Sequence, residues 1–121
     1  MTRMWMVKPE IMCRQHLLGE HKEIHQLLGT LRKQYKIDGY TRHNCVEVSS
    51  IEHRHNALVV EMQKRGYNHK SPIPTQSHIN DMSEYLNPDS RNFIINKNSS
   101  LRDILERCPE CRKRLLEIDR T

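Results

Sequence analysis

The sequence predicts an all-α protein, a small single-domain helical bundle of about three main helices with long irregular connections, spanning residues 1–121. Three observations predict it. Apolar residues recur at three, four or seven positions over long stretches, no pair of alternating strand-like segments occurs, and 121 residues suffice for one modest core. With one Trp, four Tyr and one Phe, that core must rest on Leu, Ile, Val and Met.

A first helix is expected over residues 9–35. Pro9 suits a first helical position, where a missing N–H costs little. Leu17, Ile24, Leu28, Leu31 and Tyr35 form one apolar stripe, and Gly19 permits a bend. Residues 36–48 read as a loop, with Asp38-Gly39 as its turn signal. Ser49 followed by Glu52 is a capping-box pattern. It opens a second helix that runs to Arg65, with Ile51, Leu58 and Met62 facing inward and Gly66 as terminator. Residues 67–98, rich in Asn, Ser and Pro, read as irregular apart from a short helix near residues 79–86. Ser100 with Asp103 resembles a cap for a third helix carrying Leu101, Ile104 and Leu105. Pro109 should break or kink it, leaving residues 110–119 as a last helical piece.

The formal charge is +5 and the pI about 9.2, with eight histidines besides. A basic surface favours polyanions through counterion release, so nucleic acid is the first partner to consider. No apolar run approaches the roughly 20 residues that cross a bilayer, and the amino terminus lacks the apolar stretch of a secretory signal. A cytoplasmic monomer with no membrane partner, associated with the nucleoid when bound to DNA, is the expectation. In that compartment Cys13, Cys45, Cys108 and Cys111 are reduced thiols or metal ligands.

Several residues have the chemistry for a site. His16, Glu20, Glu23 and Leu27 lie along one helical stripe, roughly 90° from the apolar one, where side chains can line a cleft or form an ordinary solvated face. His21 and His25, four apart, can share a metal, although His-Lys-Glu-Ile-His is not the zinc-protease signature. His53 and His55, two apart, should diverge on a helix. Cys108-Pro-Glu-Cys111 has the spacing of half a zinc knuckle, which Cys13, Cys45 or a histidine would have to complete; a pair of packed thiols is the alternative. No cofactor is expected, and zinc at Cys108 and Cys111 is the lesser alternative. Arg112-Lys113-Arg114 can contact phosphates or be the solvated face of a terminal helix.

Met1-Thr2-Arg3, continuing without a gap through Gln15-His16-Leu17, Glu20, Glu23, Gly29 and Arg32-Lys33, resembles the phage-type pyrimidine-dimer DNA glycosylase/abasic-site lyase family, the phage endonuclease V family. A second block, Lys64-Arg65-Gly66-Tyr67-Asn68 with Lys70, looks like the end of that family's second helix. Met-Trp-Met-Val and Tyr-Asn-His-Lys-Ser-Pro look like its short bacterial and archaeal members. The resemblance implies a nucleophile in the α-amine of Thr2, freed by removal of Met1. An α-amine has a reference pKa of about 7.7–8.0, so a useful fraction is neutral near pH 7. It implies Glu23 as catalytic carboxylate, and Arg3, His16 and Lys22 as DNA contacts. Arg32, Lys33, Arg112, Lys113 and Arg114 complete the expected DNA-binding set, and double-stranded damaged DNA is the expected partner.

The chain also departs from the phage enzyme. Lys22 and Gln26 stand where that enzyme has arginines, so a bidentate phosphate clamp becomes a point charge. The loop after the first helix is shorter, and Cys108 to Arg114 replaces an aromatic-rich end that helps recognise the dimer. Two other functions therefore stand beside dimer cleavage: a glycosylase for another modified base, and a non-catalytic nucleic-acid-binding module with a cysteine zinc site. No aromatic wedge is evident, since Trp5 and Tyr67 read as core or boundary residues.

Overall fold

The first apolar stripe becomes a helix, but later than Pro9. In this computed structural model, which describes residues 2–69 and 71–119, Pro9–Ile11 is a single 3-10 turn. Cys13 is extended (φ −66°, ψ 166°), and its sulfur accepts the His16 N–H as an N-cap. Helix α1 (Arg14–Arg32) follows, burying Leu17, Ile24, Leu27, Leu28 and Leu31. It ends before Tyr35, which is 58% exposed, because Gln34 takes a left-handed φ of 59°. Met1, Lys70, Arg120 and Thr121 lie outside the described residues, and with them the family-like Lys70 and the removal of Met1.

The expected loop contains helix α2 (Asp38–Arg42) and a 3-10 turn, Val48–Ser50. Helix α3 (Ile51–Lys64) then begins without a capping box. The Ser50 hydroxyl donates to the buried Glu47 carboxylate instead. Glu52 is used elsewhere: its carboxylate accepts the Gln76 N–H at 3.0 Å, and the Gln76 side chain accepts the Glu52 N–H at 3.1 Å. This reciprocal pair ties α3 to α4 (Gln76–Met82), the short helix expected in the irregular stretch. Gly66 ends α3 with a φ of +84°, a conformation that costs glycine little.

Helix α5 (Pro88–Arg91) is a single turn. Helix α6 (Lys97–Arg107) starts three residues before Ser100, because the Asn96 side chain caps the Ser99 N–H at 3.0 Å. That frees Ser100 and Asp103, expected as a cap, to face the amino-terminal segment: the Ser100 hydroxyl donates to the Trp5 carbonyl, and Asp103 pairs with Arg3 at 3.0 Å. Pro109 breaks the helix as expected, with Cys108 extended and α7 (Pro109–Asp119) beginning after it. Among the described residues the protein is all-α, with no strand, and no helix is long and apolar enough to cross a membrane. The expected three main helices become α1, α3, α6 and α7.

The core lies between α1, α3 and residues 4–13, and it contains an ion pair. Glu20, fully buried, receives both Nε and Nη2 of Arg54 at 2.6 and 2.9 Å. The same guanidinium donates to the Val7 carbonyl at 2.5 Å. Removing one partner of such a pair strands a charge in the interior. Arg54→Ala should therefore lower stability in equilibrium urea unfolding by about 3–5 kcal/mol. Arg54→Lys should recover little of this, since one ammonium cannot reproduce a planar fork with a third bond to Val7. A loss under about 1 kcal/mol for Arg54→Ala would contradict this account.

Candidate active site

The amino-terminal segment has no regular structure, yet Thr2, Met4, Trp5 and Val7 are buried. Backbone bonds hold it. The Met4 N–H donates to the Cys45 carbonyl at 2.6 Å, the Trp5 carbonyl accepts from Ser100, and the Val7 carbonyl accepts from Arg54. Between the last two anchors Met6 takes a left-handed φ of 58°, a strained conformation that the flanking bonds maintain. The chain start is thus fixed against α3 and α6.

Arg3 points from this segment into a cleft of about 910 Å³. Its guanidinium lies 3.7 Å from the Trp5 ring centroid and pairs with Asp103, while its Nε is buried without a hydrogen-bond partner. Opposite stand His16, Lys22 and Glu23 of α1, and α6 adds Asp103 and Arg107. Glu23 is half-buried, and burial pushes its carboxyl above the ordinary value, with Glu20 adding to the rise. The positive charge at the chain's amino terminus and Arg3 pull it back. His16 is lowered by burial and then by Arg3, and its ring meets Trp5 edge-on at 5.5 Å.

The fold therefore brings Arg3, His16, Lys22 and Glu23 into one cleft, with Thr2 immediately before Arg3. Glu20 shares the stripe of Glu23 but serves the Arg54 pair. Arg32 is exposed and lies about 180° around α1 from Glu23. Lys33 is exposed beyond the helix end, 6.0 Å from the Tyr35 ring. The basic run docks α7 rather than lining the cleft. Arg112 folds back on the Leu105 and Glu106 carbonyls, Arg114 donates to the Glu10 carbonyl at 2.9 Å, and Lys113 is exposed. Arg107 carried no signal in the sequence and Asp103 read only as part of a cap, because nothing in the spacing of α6 announces which neighbour it faces.

Two groups of metal-ligating side chains also converge. Cys108 and Cys111 meet Cys13 and His16, whereas Cys45 lies in the cleft wall and donates to the His43 carbonyl at 3.3 Å. His21 and His25 meet His55 and His69, while His53 is exposed, diverging from His55 as expected.

The family model described as pyrimidine dimer DNA glycosylase matches residues 2–75, and the chain belongs to that family. The matched stretch carries Thr2, Arg3, His16, Lys22 and Glu23 and stops short of α6 and α7. No curated protein and no solved structure matches the chain. Membership makes this a DNA-repair glycosylase that acts on damaged DNA.

Asp103 pairs with Arg3 at 3.0 Å in the cleft that Glu20 and Glu23 also line. Asp103→Asn should free the guanidinium and tighten binding to duplex DNA by roughly two- to fivefold, the size of a partly exposed pair. The gain should shrink with added salt. Fluorescence anisotropy against ionic strength measures both, and unchanged or weaker binding at low salt would contradict the assignment.

Proposed function

We propose that this enzyme removes a base of a pyrimidine dimer through the α-amine of Thr2 and then cuts the strand as an abasic-site lyase. The observation that carries this reading is the shared cleft, in which Glu23 stands with Arg3, Lys22 and His16 and Thr2 immediately precedes Arg3. A half-buried carboxylate in a cleft lined by Arg3 and Lys22 is the proton acceptor the reaction needs.

The chemistry follows in order. With Met1 removed, the neutral Thr2 amine attacks the sugar C1′, and the bond from C1′ to the base breaks with its electron pair leaving on the base. The attacking nitrogen gives up a proton and the departing base takes one up; the C1′–O4′ bond then breaks with O4′ protonated, and an imine, protonated as iminium, links Thr2 to C1′. The iminium acidifies the C2′ hydrogens. Loss of one, with Glu23 as the base, expels the 3′-phosphate by β-elimination. Water then hydrolyses the imine and restores the amine. Glu23 also stabilises the positive charge that develops on the sugar. Arg3 and Lys22 hold the phosphates beside the lesion, and His16 borders the sugar. Extruding a base is easiest at a damaged step, which supports selection of lesions over intact duplex.

Borohydride should trap a covalent adduct between protein and dimer-containing or abasic DNA, and peptide mapping should place it on Thr2. The protein must first be shown by mass spectrometry to begin at Thr2. Such a protein that nicks DNA without ever trapping would sink the amine mechanism. Glu23→Gln should slow cleavage by about 10²–10⁴-fold. Its affinity for the same DNA should stay within severalfold, whereas equal loss of both would make Glu23 a binding residue. A panel with dimers, abasic sites and oxidised or alkylated bases identifies the lesion; preference for a base other than a dimer would favour the reading suggested by the altered carboxyl-terminal segment.

A further inference from the structure

Four histidines from three parts of the chain converge on the side of α1 away from the cleft. His21 and His25 are one turn apart on α1, roughly 160° around the helix from Glu23. His55 comes from α3, and His69 from the irregular segment after Gly66. One ring nitrogen of each lies within 4.8 Å of the other three. The rings are crowded: His21 is 4.8 Å from His25, 5.0 Å from His55 and 4.8 Å from His69, centroid to centroid. The Nε2 atoms of all four are buried and have no hydrogen-bond partner.

Four unpartnered imidazole nitrogens facing one another make an unfavourable arrangement on their own. Protonating them would set like charges side by side. Leaving them neutral sets lone pairs against lone pairs or orphans buried N–H groups. A divalent cation at the centre converts every one into a ligand. Tetrahedral zinc with imidazole nitrogens at about 2.0–2.1 Å needs ligand atoms roughly 3.4 Å apart.

A second cluster stands on independent geometry. The Cys13 and Cys108 sulfurs are 3.7 Å apart, and His16 Nδ1 lies 3.2 Å from Cys13 Sγ and 3.8 Å from Cys111 Sγ. Tetrahedral zinc with three sulfurs and one nitrogen requires edges of roughly 3.8 Å between sulfurs and 3.6 Å from sulfur to nitrogen. Backbone N–H groups already point at the sulfurs: Cys13 to Cys111 Sγ at 3.2 Å, Cys111 to Cys108 Sγ at 3.4 Å, and His16 to Cys13 Sγ at 3.5 Å. Such donors stabilise metal-bound thiolates and fix their directions.

We propose that this protein carries two structural zinc ions, one held by His21, His25, His55 and His69 and the other by Cys13, His16, Cys108 and Cys111. The four-histidine ion fastens α1 to α3 and to the segment leading to α4. The cysteine ion fastens α7 to the start of α1 and orients His16 at the edge of the cleft. Neither depends on the glycosylase mechanism, and a protein without lyase activity would still bind both.

The test is metal analysis of untagged protein purified without chelators. Two zinc ions per chain are expected. His25→Ala and His69→Ala should each lose one ion, Cys108→Ser and Cys111→Ser the other, while His53→Ala and Cys45→Ser keep two. To separate loss of metal from loss of fold, the wild-type protein is stripped and titrated with Co²⁺. Thiolate-to-cobalt charge-transfer absorption should accompany one equivalent, and a second equivalent should give tetrahedral d–d bands alone. Wild type that holds and takes up no metal overturns both sites. One ion lost only with the cysteine variants overturns the histidine site. A Cys13–Cys108 disulfide in freshly isolated protein, with no thiolate–cobalt band after reduction, overturns the cysteine site.

Discussion

Arg54 is 5% exposed and lies where α1, α3 and the amino-terminal segment meet. Its two contacts to Glu20 neutralise a carboxylate that the core would otherwise exclude, and its third bond takes the Val7 carbonyl. Apolar packing alone would tolerate sliding of α3 along α1, because Leu and Ile surfaces are not directional. A planar guanidinium matched to two carboxylate oxygens and one carbonyl is directional, so it fixes the register of the helices. The reacting end of the molecule inherits that register. Val7 is held by Arg54 and Trp5 by Ser100, so Arg3, two residues earlier, projects into the cleft from a chain that has no secondary structure of its own.

Arg65 repeats the device nearby. It pairs with Glu61 at 2.8 Å and donates to the Met12 and Pro9 carbonyls at 2.8 and 3.1 Å. These carbonyls belong to the 3-10 turn and the extended residues before α1, where the ordinary helical ladder is absent. Arg54 of α3 and Arg65, which caps its end, thus satisfy the backbone of the segment that leads into α1. The strained Met6 lies inside this framework, and its left-handed geometry persists because the neighbouring carbonyls are already committed.

Local signals in the sequence were legible where they were also local in the structure. The stripe from Leu17 to Leu31, the terminator Gly66 and the breaker Pro109 act through their own helix and behave as their chemistry suggests. Capping patterns read less well, because Ser, Glu and Asp can serve a distant partner instead. Ser100 and Asp103 bond to Trp5 and Arg3, and Glu52 bonds to Gln76, so three cap-like residues became tertiary contacts. Glu23 was indistinguishable from a solvated helix residue by spacing, and only the family-like amino terminus singled it out. The ligand sets show the same limit. Cys108 with Cys111 and His21 with His25 were visible as pairs, but Cys13, His16, His55 and His69 join them from elsewhere in the chain or other helical turns. His69 had no pattern at all, since its place depends on the chain turning at Gly66.

Helix α1 carries three distinct faces, and this division explains how so small a protein accommodates both a cleft and two metal clusters. One face, Leu17 to Leu31, is the core; one, with His16 and Glu23, is the cleft; the third carries His21 and His25. Hydrophobic burial is concentrated on the first. Helix α7 gains little from it, with Cys111 its one buried residue and Leu116 58% exposed. Its attachment comes from the Cys111 sulfur, from Arg112 on the end of α6 and from Arg114 on Glu10. A few backbone bonds of about 0.5–1.5 kcal/mol each are a weak hold for an eleven-residue helix. Four ligands on one ion are a strong one. The cysteine cluster stands where apolar packing runs out, and the histidine cluster likewise holds the irregular chain after α3.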